Sequence, residues 1–384
     1  MKKTPSLPDI FISFFFLGCR SFGGPAMVQN IRGLAVENKK WMREEDFRHA
    51  TAFCQAIPGA IAMQVAAYVG LTTRGLKGAG AAFIGFGLPA FLLMCLFAFL
   101  YGRIGFPMSV FTGMRIAVIA IIFHAVVVLG RNRTKNWKNT LFFALGFVLF
   151  LYHVHVVFAI LLSAAAGMLL LHGQMENPPV AFTSPFASSR SRLWGLSAVF
   201  LAGSLGLLML RLFYPPLFSL CLTMTHVDLM AFGGGFASVP LMYHEVVERL
   251  AIIPSYDFVA GLILGQATPG PIVITATFVG YLAQGWKGAI ASTVYVFLPS
   301  FLLVCGLSGV YAKIAHVRRI QNALEAVFVS FIGFIAGTGV RLALGDSFGL
   351  KHGVIGACLF GLLFLRIPAL VVAGIGILAA SLLL

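Results

Sequence analysis

"VGLTTRGLKGA", residues 69–79, comes back as "VGYLAQGWKGA", residues 279–289, 210 positions later. The correspondence extends outward on both sides. "LPAFLL" 88–93 matches "LPSFLL" 298–303, and Tyr101 matches Tyr311. Upstream, "QAIPG" 55–59 matches "QATPG" 266–270, Phe47 matches Phe258, and "SFGG" 21–24 matches "AFGG" 231–234, the offset slipping to 211 between Phe47 and Gly59. Chance does not place so many glycines and prolines in register. The chain reads as a duplication, with one repeat over 1–172, a second over 216–384, and a polar loop plus one apolar span over the connector 173–215.

The medium is set by composition. Hydrophobic residues make up 59% of the 384 positions and charged residues 10%, with a mean hydropathy of +0.95. A soluble domain carries about 25% charged residues. Many runs reach the ~20 apolar residues that cross a hydrocarbon core, and the alternating pattern of a membrane β-barrel is absent. The expectation is an all-α polytopic membrane protein. The net charge of +15 sits mostly in short loops, as the positive-inside rule requires of an inner-membrane protein, so no nucleic-acid partner is implied. "MKKTPSLPD" 1–9 is polar and no small-residue cleavage site follows it, so no cleaved leader is expected. The six cysteines lie in apolar segments without C-x-x-C spacing and read as small hydrophobes. Neither a phosphate-binding loop, nor G-x-S-x-G, nor H-E-x-x-H is present, which argues against an enzyme and against ATP-driven transport. "HVH" 153–155 lacks a third ligand nearby, so no metal and no cofactor are expected.

Topology follows from parity and charge. The first repeat shows six apolar segments, near 8–30, 47–72, 79–101, 108–130, 138–152 and 154–172. Six plus the connecting span is odd, so the second repeat enters from the opposite side. Loop 131–138 carries Arg131, Arg133, Lys135 and Lys138, whereas its counterpart 341–351 has Arg341 and Lys351 with Asp346. Loop 312–319 carries Lys313, Arg318 and Arg319, whereas 102–109 has only Arg103. Basic loops that alternate between repeats predict inverted topology. The fold class expected is two inverted-topology repeats with discontinuous transmembrane helices and about thirteen spans, the N-terminus cytoplasmic and the C-terminus outside.

Each repeat interrupts apolar segments with helix-breaking residues: "FGGP" 22–25 with "FGGG" 232–235, and "IPGA" 57–60 with "TPGP" 268–271. Glycine costs a helix interior about 1 kcal/mol and proline about 3 kcal/mol. A helix that restarts inside the membrane presents unpaired N–H groups and a positive dipole end, which attract an anion. Inverted repeats with broken helices are the architecture of secondary transporters. The candidate substrate-binding residues are therefore Phe22, Gly23, Gly24, Pro25, Pro58, Gly59, Phe232, Gly233, Gly234, Gly235, Thr268, Pro269, Gly270 and Pro271. Pro25 and Pro271 suit the first position of a restarting helix. Gln55 and Gln266 occupy equivalent places and offer amides.

These motifs, with "GQATPGP" 265–271, "GYLAQGWKGA" 280–289 and "FLPSF" 297–301, resemble those of the chromate ion transporters in their two-domain form, over nearly the whole chain. The resemblance implies efflux of chromate energised by the membrane potential or a proton gradient, chromate resistance, and kinship to the handling of sulfate. The family's Pro-Gly-Pro is complete only in the second repeat, Ala60 standing in the first.

Ionisable residues within apolar segments are functional candidates. Arg20 precedes "SFGGP" and is expected to meet the anion; Asp228 lies four residues before "FGGG" and would pair with Arg20, taking up a proton when the anion claims Arg20. Arg115 and Glu325 align across the repeats, and Glu245 opens the acidic "HEVVE" 244–248. These four, Arg115, Asp228, Glu245 and Glu325, are the candidate coupling residues, with protons as the coupling ion. The reading is a secondary active transporter that moves chromate or a sulfate-like oxyanion through the lipid bilayer of the cytoplasmic membrane; a homodimer is compatible with the pattern. The alternatives are another small anion on the same scaffold, a channel, or a membrane-embedded enzyme acting on lipid phosphates.

Overall fold

The computed structural model describes residues 5–22, 25–103, 108–131, 133–134, 136–152, 154, 156–171, 190–232, 234–309, 311, 317–344, 349–365, 367 and 369–383. Among them are fifteen α-helices and no sheet. They are α1 Leu7–Arg20, α2 Pro25–Arg32, α3 Glu44–Ala56, α4 Ile61–Tyr101, α5 Met108–Gly130, α6 Trp137–Leu151, α7 Val156–Leu170, α8 Arg190–Phe213, α9 Pro215–Met230, α10 Gly235–Tyr243, α11 Ser255–Ala267, α12 Thr275–Leu307, α13 Arg318–Ala343, α14 Leu350–Phe364 and α15 Ala369–Leu383. Five stretches are long and apolar enough to cross a membrane, within α4, α5, α8, α12 and α13. The protein is an all-α membrane protein. On α8 such residues as Phe200 and Leu201 are exposed, as suits a helix whose solvent is lipid.

The elements recur in order on the two sides of α8, and so do their irregularities. A wide π-type turn extends α2 over Gly33–Asn38 and α10 over His244–Arg249. Each is followed by a non-glycine residue with positive φ, Lys40 (φ 52) and Ala251 (φ 47). The helix α4 turns at Arg74 (φ −140, ψ 24) and Gly75 (φ 62, ψ −152). Its counterpart α12 turns at Gln284 (φ −144, ψ 24) and Gly285 (φ 59, ψ −148).

Those turns are reversals. A straight helix as long as α4 would span roughly 60 Å, yet a Cβ added at Gly70 would overlap the backbone of Gly78, and one at Gly280 the backbone of Gly288. Across the α12 turn, Ser292 Oγ donates to Ala276 O at 2.7 Å and the Thr277 and Thr293 hydroxyls bond at 2.7 Å. Each is a helical hairpin whose arms touch through glycine. The arm before each turn is short: residues 61–73 reach only about 20 Å, less than the ~30 Å core. The boundary expected between apolar segments near 72–79 is this reversal.

By packing, the chain divides into two compact units, and each draws on both halves of the sequence. The first comprises Met1–Phe99, Met175–Ser238 and Thr268–Val317; the second comprises Leu100–Gln174, Val239–Ala267 and Arg318–Leu384. In the first unit α1 lies against α4, with Gly18 on the backbone of Phe86 and Phe14 edge-on to Phe86 at 6.4 Å. Helix α9 lies against α12 in the corresponding way. The hairpins meet through Phe83, whose ring sits 6.2 Å from Phe297 and 5.2 Å from Phe301. On the polar side, Arg32 bonds Glu37 at 2.6 Å and Glu44 at 2.8 Å, and its guanidinium holds the Glu44 carboxyl below the usual range.

In the second unit α13 packs on α6 and α7, and α5 packs on α14 and α15. Glycines allow these approaches: Gly146 meets the backbone of Ser330, and Gly113 that of Gly376 and Ile377, the small-residue contact that membrane helices rely on. All six cysteines are free thiols. Among the described residues no group of His, Cys, Asp and Glu is placed to hold a metal ion.

Gly75 and Gly280 separate strain from overlap. Nothing lies within 4 Å of a Cβ at Gly75, but its φ of 62 with ψ of −152 is reserved for glycine. Gly75→Ala should therefore cost about 1–3 kcal/mol and lower the thermal midpoint in detergent, with the protein still monodisperse. Gly280→Leu should abolish the monodisperse species on size exclusion, because the arms cannot separate without opening the hairpin. A Gly75→Ala midpoint equal to wild type would contradict the assigned turn.

Candidate functional site

All four breaks are seen where Gly and Pro place them. Helix α1 stops at Arg20 and α2 starts at Pro25; α3 stops at Ala56 and α4 starts at Ile61. In the second half α9 stops at Met230 and α10 starts at Gly235; α11 stops at Ala267, and a short 3-10 turn, Ile272–Ile274, leads into α12. Gly23, Gly24 and Gly233 lie outside the described residues, as do His153 and His155.

Within the first unit the breaks of opposite halves cross. Gly59 N donates to Ala231 O at 3.0 Å, and Gly270 N donates to Ser21 O at 2.8 Å. Ser21 and Ala231 are equivalent repeat positions, as are Gly59 and Gly270. Phe22 and Gly270 form a one-residue parallel bridge. Both crossing glycines have positive φ, 118 at Gly59 and 128 at Gly270, a conformation that glycine adopts without steric cost. Extended backbone inside an apolar unit leaves N–H and C=O groups without helical partners, and these crossings satisfy them.

The crossings bring helix starts together. A Cβ at Gly234 would lie 3.0 Å from Ile61 Cδ1, at the start of α4. One at Gly235 would lie 3.4 Å from Val273 and 3.8 Å from Ile272 N, at the approach to α12. "FGGG" 232–235 thus runs between the two restarts and itself opens α10. Glycine at these positions keeps the approach free of side chains. Thr268, Pro269, Gly270 and Pro271 are buried, and Phe22 is exposed.

One charge is fully buried there. Asp228 is 0% exposed. Ser300 N donates to its Oδ2 at 2.7 Å and Ser300 Oγ to its Oδ1 at 2.9 Å. Ser300 Oγ accepts from Ala60 N at 3.1 Å and from Gln64 Nε2 at 3.4 Å. Gln64 Nε2 also donates to Pro58 O at 2.6 Å, while its Oε1 is buried without a partner. Proline makes this possible. Pro299 has no N–H for the carbonyl of Tyr295, which lies 3.4 Å from Thr225 Oγ1, itself donating to Cys221 O at 2.9 Å, and the next N–H, of Ser300, goes to Asp228.

The expected Arg20–Asp228 pair is not formed. Ser300 occupies both carboxylate oxygens, and Arg20 is exposed in the last turn of α1, where a cation complements the helix dipole. Arg20 and Asp228 are near equivalents only; the position matching Asp228 is Gly18. The amide at the first break is likewise Gln64, since Gln55 is exposed; Gln266 is half-buried in the last turn of α11. Gln64 and Ser300 carry no weight in the motif reading, although Ser300 stands against Ala90 in an otherwise matched stretch.

The other coupling candidates are in the second unit. Arg115 donates to Leu342 O at 2.9 Å. Glu325 pairs with Arg133 rather than with Arg115. Glu245, 4% exposed, accepts Arg249 Nε at 2.7 Å; beside it His244 bonds Glu248 at 2.7 Å, and Arg341 approaches Glu248 at 3.4 Å. A cavity of about 410 Å³ lies between α4 and α12 in the first unit, walled by Met63, Phe83, Phe91, Phe297 and Phe301 among others. Its apolar walls suit a hydrocarbon chain and would not solvate a dianion.

Ser300→Ala removes a donor from the carboxylate and the acceptor of Ala60 N–H. It should cost about 1–3 kcal/mol in denaturant unfolding in detergent. Ala90→Ser, at the equivalent position, should bring no comparable gain. Equal stability of Ser300→Ala and wild type would show that this bond network contributes nothing.

Comparison with known proteins gives the family. The family described as chromate transporter matches residues 8–168 and 218–381. An uncharacterised transporter of Methanocaldococcus jannaschii is 35% identical over 375 residues, covering 97% of this chain and 93% of its own. The chromate transport protein of Pseudomonas aeruginosa is 29% identical over 378 residues, covering 94% and 87%. That of Cupriavidus metallidurans is 29% identical over 348 residues, covering 88% and 83%. No solved structure matches the chain. A family match that takes in both halves of the duplication makes this chain a member of the chromate transporter family.

Proposed function

We propose that the protein is a secondary active transporter that exports chromate, a tetrahedral dianion, across the cytoplasmic membrane and so confers chromate resistance. One observation carries the reading: the starts of α4, α10 and the approach to α12 come together along "FGGG" 232–235, inside an apolar unit. Each start offers N–H groups and the positive end of a helix dipole. Neutral donors suit a carrier, which must release its ion as well as bind it. Chromate transport is what the printed names of two relatives state for those proteins.

In this reading the halves 1–172 and 216–384 are inverted repeats joined by 173–215, with about thirteen spans, the N-terminus cytoplasmic and the C-terminus outside. Matching turns at Gly75 and Gly285 and matching crossings at Gly59 and Gly270 support the duplication. The substrate lies at the breaks, and alternating access comes from rocking around that fixed site. Protons are the coupling ion, with Asp228, Glu245, Arg115 and Glu325 as the residues through which charge is balanced. Sulfate, of the same charge and shape, competes for the site.

The test uses inverted membrane vesicles from cells making the full chain, loaded with radiolabelled chromate. Wild type should accumulate chromate only when the membrane is energised, and excess sulfate should reduce it. Gly234→Leu, which pushes a side chain onto Ile61, should abolish accumulation while the protein level is unchanged. Wild-type vesicles that match empty ones would remove chromate as the substrate.

A further inference from the structure

We propose that Asp228 is a proton-binding residue that competes with the transported anion for the donors of the first break. As a carboxylate it acts as an internal anion at the start of α4; as the neutral acid it gives those donors up. The inference rests on the transport reading above and names the group that links the anion to the proton.

Among the described residues no cation lies within ion-pair distance of the buried Asp228 carboxylate. Burying a charge without a partner is expensive, so the donors around it carry the cost. They are Ser300 N–H and Oγ–H directly, with Ala60 N–H and Gln64 Nε2 behind Ser300 Oγ. Ala60 N–H belongs to the first break and immediately precedes α4. The groups on which an incoming oxyanion would draw are thus already held by Asp228.

The fold does not require this charge. The equivalent crossing at Gly270 closes with Gly18 where Asp228 stands and Ala90 where Ser300 stands. A Cβ at Gly270 would meet Ala90 Cβ at 2.6 Å, an apolar wall, whereas a Cβ at Gly59 would overlap Ser300 Oγ and meet Gln64 Nε2 at 2.7 Å and Asp228 Oδ1 at 3.2 Å. Gly59 faces a carboxylate and its donors, whereas Gly270 faces the Ala90 methyl. A structural requirement would appear in both.

The proton has a place to go. On protonation one Asp228 oxygen gains an O–H bond, the proton coming from water, and the new donor needs an acceptor. Gln64 Oε1, in a side chain 0% exposed, is a buried acceptor without a partner. The charged and titrating groups on the elements around Asp228 are Tyr68, Arg74, Lys77, Cys95 and Tyr101 on α4, Cys221 and His226 on α9, Tyr281, Lys287, Tyr295 and Cys305 on α12, and Arg190, Arg192 and Arg211 on α8, which packs on α9 and α12. The hydrogen bonds to the carboxylate come from Ser300 N–H and Oγ–H. In the proposal Asp228 is the group that links them, and the anion and the proton bind together.

The sign is fixed by this scheme. The protonated form is the binding-competent one, so apparent affinity rises as pH falls. The experiment measures binding of radiolabelled sulfate and chromate to the purified full chain in detergent between pH 5 and 9. Wild type should lose affinity by about tenfold per pH unit over the upper part of the range. Asp228→Asn, which keeps the shape and stays neutral, should bind with a flat pH profile at the tight limit. As a measurement that needs no variant, adding sulfate to wild type in weak buffer should take up about one proton per anion bound. A wild-type slope retained in Asp228→Asn, or no proton uptake, would overturn the inference and leave the transport reading standing. No binding of either anion at any pH would overturn both.

Discussion

The chain must leave the helical state four times inside an apolar unit, and each time it must find partners for the backbone groups that it exposes. That requirement organises the rest of the first unit. Gly59 N reaches Ala231 O and Gly270 N reaches Ser21 O, so each half of the sequence satisfies the break of the other. An unsatisfied backbone group in hydrocarbon costs several kcal/mol. Neither half can therefore complete its own breaks, and the two must fold together.

The same requirement explains the glycines that matter. At Gly59 and Gly270 the crossing demands positive φ. At Gly70, Gly78, Gly280 and Gly288 the demand is spatial, because hairpin arms touch backbone to backbone. Prolines complement them. Pro299 frees the Tyr295 carbonyl, and α9 brings Thr225 Oγ1 near it and Asp228 to the next N–H, of Ser300. A break, a proline within a helix and a buried carboxylate are parts of one arrangement of polar groups.

In the proposed function the arrangement turns a local cost into a capacity to bind an anion. The starts of α4 and α10 and the approach to α12 are gathered along "FGGG" 232–235. Their donors are neutral and fixed, which lets an anion be held without a permanent cationic trap. In the second unit, charges are arranged differently: Glu245, Glu248, Arg249 and Arg341 neutralise one another around the wide turn His244–Arg249. Charge there is balanced locally, whereas Asp228 is held by the hydrogen bonds of Ser300.

By itself the sequence determined the medium and, among the described residues, where α1, α3, α9 and α11 stop, because hydropathy, Gly and Pro act on the chain locally and leave a record at fixed spacing. It even held the sign of the asymmetry, in Asp228 against Gly18 and Ser300 against Ala90. Partner choice was decided only by the tertiary structure. Arg20 looked like the natural mate for Asp228, yet spacing along a helix says nothing of which face meets which neighbour, and Ser300, 72 residues away, takes both oxygens. Gln64 rather than Gln55 stands at the break for the same reason: the chain turns between them, and burial is a property of the packed neighbours and not of the residue. The hairpins, too, needed coordinates, since an apolar run reads alike whether it goes straight on or doubles back at one glycine.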